Sequence, residues 1–290
     1  MEIRRKKIAM KKSEGTAYFI GDWHAGLKSC AKDLVAEAVQ IIADDPKLLF
    51  WVGMGDHIDA ITKDDKRYEV ESIDADLETP SLQMAWLKET IKPIADSCLG
   101  LHLGNHESTL IKSVGNFMQD IICPELEVDY LGYIALQTLI FPKGEHTLLT
   151  THGAGALGGK TFERPEALKA NKITRLRRMV LPLARADLYA AGHTHQLIGE
   201  MPPRRPTLVN TTTKLSKINK NGSYQNGTIE KIYVFDYAPV ISTGSFLATY
   251  TPSKSNYAER NLYSPLDVGM VRVTYNQAGE VINIEEVVLG

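Results

Sequence analysis

Two histidines one residue apart close the segment Leu188-Tyr-Ala-Ala-Gly-His-Thr-His-Gln196. The apolar run before them reads as a buried strand. In extended backbone, residues i and i+2 point the same way, so His193 and His195 can both face one point in space. Gly192 lets the chain turn as the strand ends. Taken alone, a polar loop with two histidines is the plainer account. Four upstream segments, however, repeat the form of an apolar run followed by Asp, His or Asn beside glycine. In order they supply Asp22 and His24, Asp56 and Asp59, Asn105 and His106, and His152. Imidazole and carboxylate together, without thiolate, suit Mn²⁺, Fe or Zn²⁺. Two such cations roughly 3.5–4 Å apart need a bridging carboxylate, and pairs of this kind serve phosphoester hydrolysis.

The elements that must position these groups alternate strand and helix. Residues 16–20, 48–52, 100–103, 133–141 and 147–150 read as strands, and 28–43, 81–95 and 108–121 as helices. The acidic stretch 59–78 reads as an exposed helical or irregular insertion. A basic helical segment, 164–184, leads back to the paired histidines. Beyond residue 201, Asn-Gly pairs and the alternating runs 229–237, 271–275 and 281–288 give a β-rich C-terminal part. The alternation implies an α/β fold with at least partly parallel strands, in which ligands gather at the C-terminal ends of strands. With no internal repeat and no linker, residues 1–290 read as one domain carrying a basic N-terminal arm (1–15) and the β-rich part 201–290. Residues 1–12 read as a solvated tail or edge strand, with a phosphate-seeking arm as the alternative.

Composition narrows the class. Apolar residues make up 43% and charged residues 23%, as in globular proteins, and a net charge of -2 gives no overall attraction to nucleic acid or membrane. Cys30, Cys98 and Cys123 are odd in number and widely spaced, which excludes a disulfide framework and a zinc-thiolate site. No secretory signal is visible, and no apolar run approaches the roughly 18 residues of a membrane span. The expectation is a cytoplasmic protein with no membrane partner, its protein partners unknown.

The five blocks closely resemble the calcineurin-like metallophosphoesterase superfamily, whose signature is D-x-H, G-D-x-x-D, G-N-H-[DE], H and G-H-x-H. All are present in that order from Asp22 to His195. The resemblance implies a sandwich of two mixed β-sheets flanked by helices and two divalent ions, Mn²⁺ first, with Fe or Zn²⁺ as alternatives. It implies Asp22, His24, Asp56 and His195 on one ion, and Asp56, Asn105, His152 and His193 on the other, with Asp56 bridging. The nucleophile would be a metal-bridging hydroxide. His106 would protonate the leaving oxygen as general acid, and Asp59 would accept a hydrogen bond from His106 and fix its tautomer.

Other residues are open to two readings. His57 could reach substrate or serve a local structural role; His102 reads as a satisfied core group and His146 as a solvated turn residue. Ala154-Gly-Ala-Leu-Gly-Gly-Lys-Thr161 fits a relaxed phosphate-loop pattern. His152 already occupies that strand end, however, and no partner acidic strand is evident. A Gly-rich loop bringing Lys160 near a substrate phosphate is the better account. The basic helical segment is a solvated face by default, or a patch in which Arg175 and Arg178 steer phosphate-rich substrate. Arg260 lies in an aromatic segment that could cover the site.

Members of the superfamily cleave many phosphoesters. Protein phosphatases of the superfamily carry Arg-Gly after the second block, whereas Ala60-Ile61 stand here, and Ala25-Gly26 look more like the nuclease and phosphodiesterase branches. The favoured substrate is therefore a phosphodiester, with nucleic acid suggested by the basic segments. The alternatives are a phosphomonoesterase acting on a nucleotide, metabolite or phosphoprotein, and a catalytically silent scaffold of the same fold.

Overall fold

The computed structural model describes residues 1–63, 65, 68–157, 164–210, 229–235, 237–249 and 266–290. Its strands are β1 (Glu2–Lys7), β2 (Glu14–Ile20), β3 (Leu48–Gly53), β4 (Cys98–His102), β5 (Tyr130–Gly132), β6 (Ile134–Phe141), β7 (Gly144–Thr151), β8 (Leu188–Ala191), β9 (Leu197–Glu200), β10 (Arg204–Asn210), β11 (Ile229–Phe235), β12 (Val240–Thr243), β13 (Gly269–Asn276) and β14 (Val281–Val288). They form two six-stranded sheets, in the orders β14-β13-β2-β3-β4-β5 and β1-β6-β7-β8-β12-β9, and a separate antiparallel ribbon of β10 and β11. Both large sheets are mixed. In the first, β2 to β5 run parallel and β13 and β14 antiparallel. In the second, β1 pairs with β6, β7 with β8 and β8 with β12 in parallel, while β6–β7 and β12–β9 are antiparallel.

The sheets face each other, as period-2 alternation requires. Ala17, Phe19, Phe50, Val52, Leu148 and Leu188 are buried between them. The other face of the first sheet presents Tyr18, Ile20 and Trp51 to α1 (Lys32–Asp44) and α2 (Pro80–Ile91), which contribute Val35, Ile42, Leu87 and Ile91. The second sheet covers its outer face with the basic helix Pro165–Val180, through Leu176 and Val180 against Leu149 and Tyr189. Helix α2 starts cleanly because Thr79 accepts the Leu82 N–H and Pro80 occupies the first turn.

Three expectations change. At the basic N-terminus the arm gives way to the edge-strand reading: β1 pairs with β6 along residues 2–7 as the edge of the second sheet. Its charges face water, as an edge strand favours. The helix expected over 108–121 is broken into α3 (Asn105–Thr109), a turn at Ile111–Val114 and a π-turn at Met118–Ile122. Gly115, with φ of 78°, ends the regular backbone between them.

The third change concerns His146. The β6–β7 hairpin closes tightly, with Phe141 opposite Gly144, so His146 is already inside the strand. It is 3% exposed, edge-on to Tyr275 with ring centroids 5.0 Å apart. Burial pushes its imidazole from 6.5 down to about 4. A histidine held neutral in the fold and titrating normally when unfolded contributes stability above pH 6.5 that is lost as pH falls toward about 4. By linkage that loss is about 3 kcal/mol. His146→Phe should flatten the fall of unfolding free energy over this range, measured by urea titration at several pH values. An unchanged slope would show that His146 carries none of it.

Candidate metal centre

Five strand ends deliver the site. β2 leads to Asp22 and His24, β3 to Asp56 and Asp59, β4 to Asn105 and His106, β7 to His152, and β8 to His193 and His195. The first three belong to one sheet and the last two to the other, so the groups meet across the ends of the sandwich. The loops are stitched together by main-chain bonds: Asp22 N–H donates to Gly55 O, His24 N–H to Asp56 O, and Ala25 N–H to His57 O. Close approach demands glycine at two points. A Cβ on Gly104 would lie 2.1 Å from Asp56 Oδ1, and one on Gly55 would lie 2.7 Å from His152 Nδ1.

The side chains converge in two groups linked by a third, His24, Asp56 and His106, which takes one residue from each. Ligand atoms of Asp22, His24 and His195 lie within 4.8 Å of one another, and so do those of Asp56, His152 and His193. In the first group, His24 Nε2 and His195 Nε2 face each other at 3.1 Å, with His195 Nε2 3.4 Å from Asp22 Oδ1. In the second, His152 Nε2 and His193 Nδ1 lie 3.0 Å and 2.7 Å from Asn105 Oδ1. Asp56 divides its two oxygens. Oδ1 accepts the His106 N–H at 2.9 Å, while Oδ2 lies 3.3 Å from His152 Nε2 and 3.9 Å from His24 Nε2.

The donor chemistry fits divalent cations. His152 Nδ1 donates to Met54 O at 2.8 Å, which turns its Nε2 toward the Asn105 oxygen and Asp56. Imidazole nitrogens and an amide oxygen gathered around a buried carboxylate describe a cavity that attracts positive charge. The same field acts on protons. Burial opposes the imidazolium of His152, yet Asp56 outweighs it and pushes that group up to about 9. Burial likewise works against ionised Asp56, but the histidines around it hold its carboxyl well below the usual range. The set lacks thiolates, since all three cysteines are buried elsewhere, and imidazole with carboxylate and amide oxygen matches Mn²⁺, Fe or Zn²⁺.

His106 stands beside both groups. Its Nδ1 is 2.9 Å from the Asp59 main-chain oxygen and 3.0 Å from Asp59 Oδ1. Nδ1 thus faces two oxygens of one residue, the Asp59 carboxylate that was expected and the main-chain oxygen beside it. Asp59 Oδ1 is also 3.4 Å from His24 Nδ1, so this carboxylate serves both a ligand and its neighbour. Burial lowers the affinity of His106 for a proton, but Asp59 and Asp56 outweigh it and push the group up to about 9.

Other expectations fare differently. His57 does not face the site: it is fully buried, edge-on to Trp23 with ring centroids 5.2 Å apart, and packed against Gly53. The fold tucks its ring beneath the loop, so its role is structural. His102 is a satisfied core group, donating to Gly132 O and accepting from Thr150. Arg175 and Arg178 are exposed on the basic helix. The residue of that helix tied to the ligand loop is Lys172, whose Nζ donates to Gln196 Oε1 at 2.5 Å. Lys160 and Arg260 lie outside the described residues.

The sequence pattern gave no weight to Glu107, yet its carboxylate is fully buried and accepts four main-chain N–H groups: Gly104 at 3.0 Å, Asp56 at 3.0 Å, His57 at 2.6 Å and Ile58 at 3.2 Å. It therefore clamps the loop that carries Asp56.

The sequence matches no family model and no curated protein. Among solved structures, the chain is similar to a conserved uncharacterized protein of Streptococcus pneumoniae described as a predicted phosphoesterase, with 10% identity and a TM-score of 0.34 over 96% of this chain and 99% of that one. It is similar to a 5'-nucleotidase precursor of Thermus thermophilus, with 13% identity and a TM-score of 0.44 over 95% of this chain and 54% of that one. A third likeness is to the anchor in the inner membrane complex of Plasmodium, at 15% identity and a TM-score of 0.36 over 96% and 90% of the two chains. Likenesses this distant carry no argument about activity, and the reading of the site rests on its own geometry. No helix among the described residues is long and apolar enough to cross a membrane.

Replacing Glu107 by glutamine sets an amide N–H₂ against main-chain donors and should loosen the Asp56 loop. Divalent-ion affinity should fall about 10–100-fold, as for other groups that orient ligands, by isothermal titration calorimetry with Mn²⁺. Wild-type affinity in Glu107→Gln would show that the clamp has no bearing on the ions.

Proposed function

We propose that the chain is a dinuclear-metal phosphoester hydrolase of the calcineurin-like metallophosphoesterase type, acting on phosphodiesters, with nucleic acid as one candidate among them. The observation that carries this reading is the divided Asp56 carboxylate, with Oδ1 pinned by the His106 N–H and Oδ2 turned to both ligand groups. Asp22, His24, Asp56 and His195 would hold one ion, and Asp56, Asn105, His152 and His193 the other. Mn²⁺ is the favoured metal for this oxygen and nitrogen set. Two bound cations would acidify a water and offset charge on the phosphoryl oxygens.

The chain's own residues account for the rest. The Asp59 main-chain oxygen fixes the His106 Nδ1–H, so Nε2 is the atom that meets the leaving oxygen and gives it a proton. Only 16% of the His106 side chain is exposed, which protects that proton from bulk water. Ala60 and Ile61, both buried, stand where the protein phosphatases of the superfamily carry Arg-Gly. No guanidinium is therefore supplied at that position for the doubly charged oxygens of a monoester, which supports the diester reading. The intact pairing of His106 and Asp59 supports an enzyme over a silent scaffold. A cytoplasmic location and the organisation of residues 1–290 as one domain remain part of this proposal.

In the presence of Mn²⁺, a bis-aryl phosphate should turn over faster than a mono-aryl phosphate, and DNA should be cleaved; preference for the monoester with no DNA cleavage would support a monoesterase instead. His106→Ala should slow diester turnover roughly 10²–10⁴-fold while retaining metal. Loss of both ions in that variant, by elemental analysis, would place His106 among the ligands.

A further inference from the structure

Gln83 belongs to α2, outside all five sequence blocks, yet it is 1% exposed and both ends of its amide are engaged. Its Nε2 donates to Leu77 O at 2.9 Å, and its Oε1 accepts the Ala60 N–H at 2.9 Å. The Ala60 N–H and the Asp59 carbonyl are the two ends of one planar peptide group. That carbonyl is the acceptor for His106 Nδ1 at 2.9 Å. One rigid unit therefore has Gln83 on its nitrogen side and His106 on its oxygen side. Chains of this kind strengthen link by link, because a peptide whose N–H is engaged is the better acceptor at its oxygen.

The peptide needs such an anchor. Ala60 has φ of 58°, a left-handed conformation that alanine disfavours. Half a turn of the Asp59–Ala60 peptide would return Ala60 to ordinary backbone and swing the Asp59 oxygen away from His106. Water cannot easily replace the glutamine as acceptor, since Ala60 is itself 1% exposed. Space for the amide is kept by Gly26, where a Cβ would lie 2.2 Å from Gln83 Nε2.

We propose that Gln83 is a positioning residue for the reaction: through the Asp59–Ala60 peptide it sets the orientation and tautomer of His106. The proposal rests on the general-acid role given to His106 above. Gln83→Met keeps the length of the side chain and removes both hydrogen bonds. In ¹⁵N-labelled protein without Mn²⁺, at a pH above the His106 value of about 9 where the ring is neutral, the imidazole shifts of wild type should show His106 protonated at Nδ1, and Gln83→Met should lose that preference. Turnover should be compared on bis(para-nitrophenyl) phosphate, whose leaving group needs little protonation, and on diphenyl phosphate, whose leaving group needs more. The loss should be about tenfold greater on the second, with Mn²⁺ affinity unchanged. This ratio does not depend on the fraction of protein folded. Gln83→Glu, which keeps an acceptor for Ala60, should hold it near wild type. Equal losses on both esters, no loss, or unchanged imidazole shifts would overturn the proposal. Wild-type protein inert toward both esters would instead count against the hydrolase reading, and the imidazole shifts would still decide the role of Gln83.

Discussion

Asp22, His24, Asp56, His193 and His195 all have left-handed backbone, with φ between 49° and 63°. Such a conformation costs a non-glycine residue about 1–2 kcal/mol. Among the described residues only two other non-glycine positions share it, and one of them, Ala60, adjoins Asp59. The turn is what the site requires: a chain leaving a strand must bend back sharply if imidazoles and carboxylates from separate loops are to meet. The bent state persists because the loops hold one another. The Asp22 carboxylate accepts the His193 N–H, Asp56 O accepts the His24 N–H, and Glu107 accepts the Asp56 N–H. No loop can relax alone, which is how strained functional backbone is maintained.

Charge follows from the same bonds. Asp22, Asp56, Asp59 and Glu107 bury four carboxylates at the end of the sandwich, each 0–1% exposed. Burial of this kind requires compensation, and each is compensated differently. Glu107 is surrounded by main-chain donors and Asp59 by the two imidazoles of His24 and His106. Asp56 spends one oxygen on a main-chain N–H and keeps the other for the histidines. Since main-chain dipoles compensate without carrying net charge, the negative charge of the site remains directed at the ligand groups.

The sequence made the ligands legible because chemistry there is local: an apolar run, a glycine, and Asp, His or Asn at fixed spacing. The strand–helix order followed from periodicity, and the sandwich with helices on its outer faces from the resemblance. What escaped was set by partners distant in the chain. Nothing local marks the bonds of Glu107 to residues 56–58, and nothing in the periodicity of α2 singles out Gln83. His146 looked like a turn residue because a tight hairpin and a strand interior are hard to separate by pattern. The basic N-terminus gave no sign of its partner, β6, more than a hundred residues away.

The order of the strands has a consequence for synthesis of the chain. Every candidate ligand has been made once residue 195 emerges, but the sheets that aim them are then incomplete. β13 must still dock on β2, and β12 must still insert beside β8 before β9 has its neighbour. Ser245 and Phe246, from this late segment, also hold the Asp22 main-chain oxygen. A nascent chain thus displays clustered histidines and carboxylates without the walls that give them geometry. Under the proposed function, ion capture with the right arrangement would be a late event, waiting on long-range pairing of the slow kind.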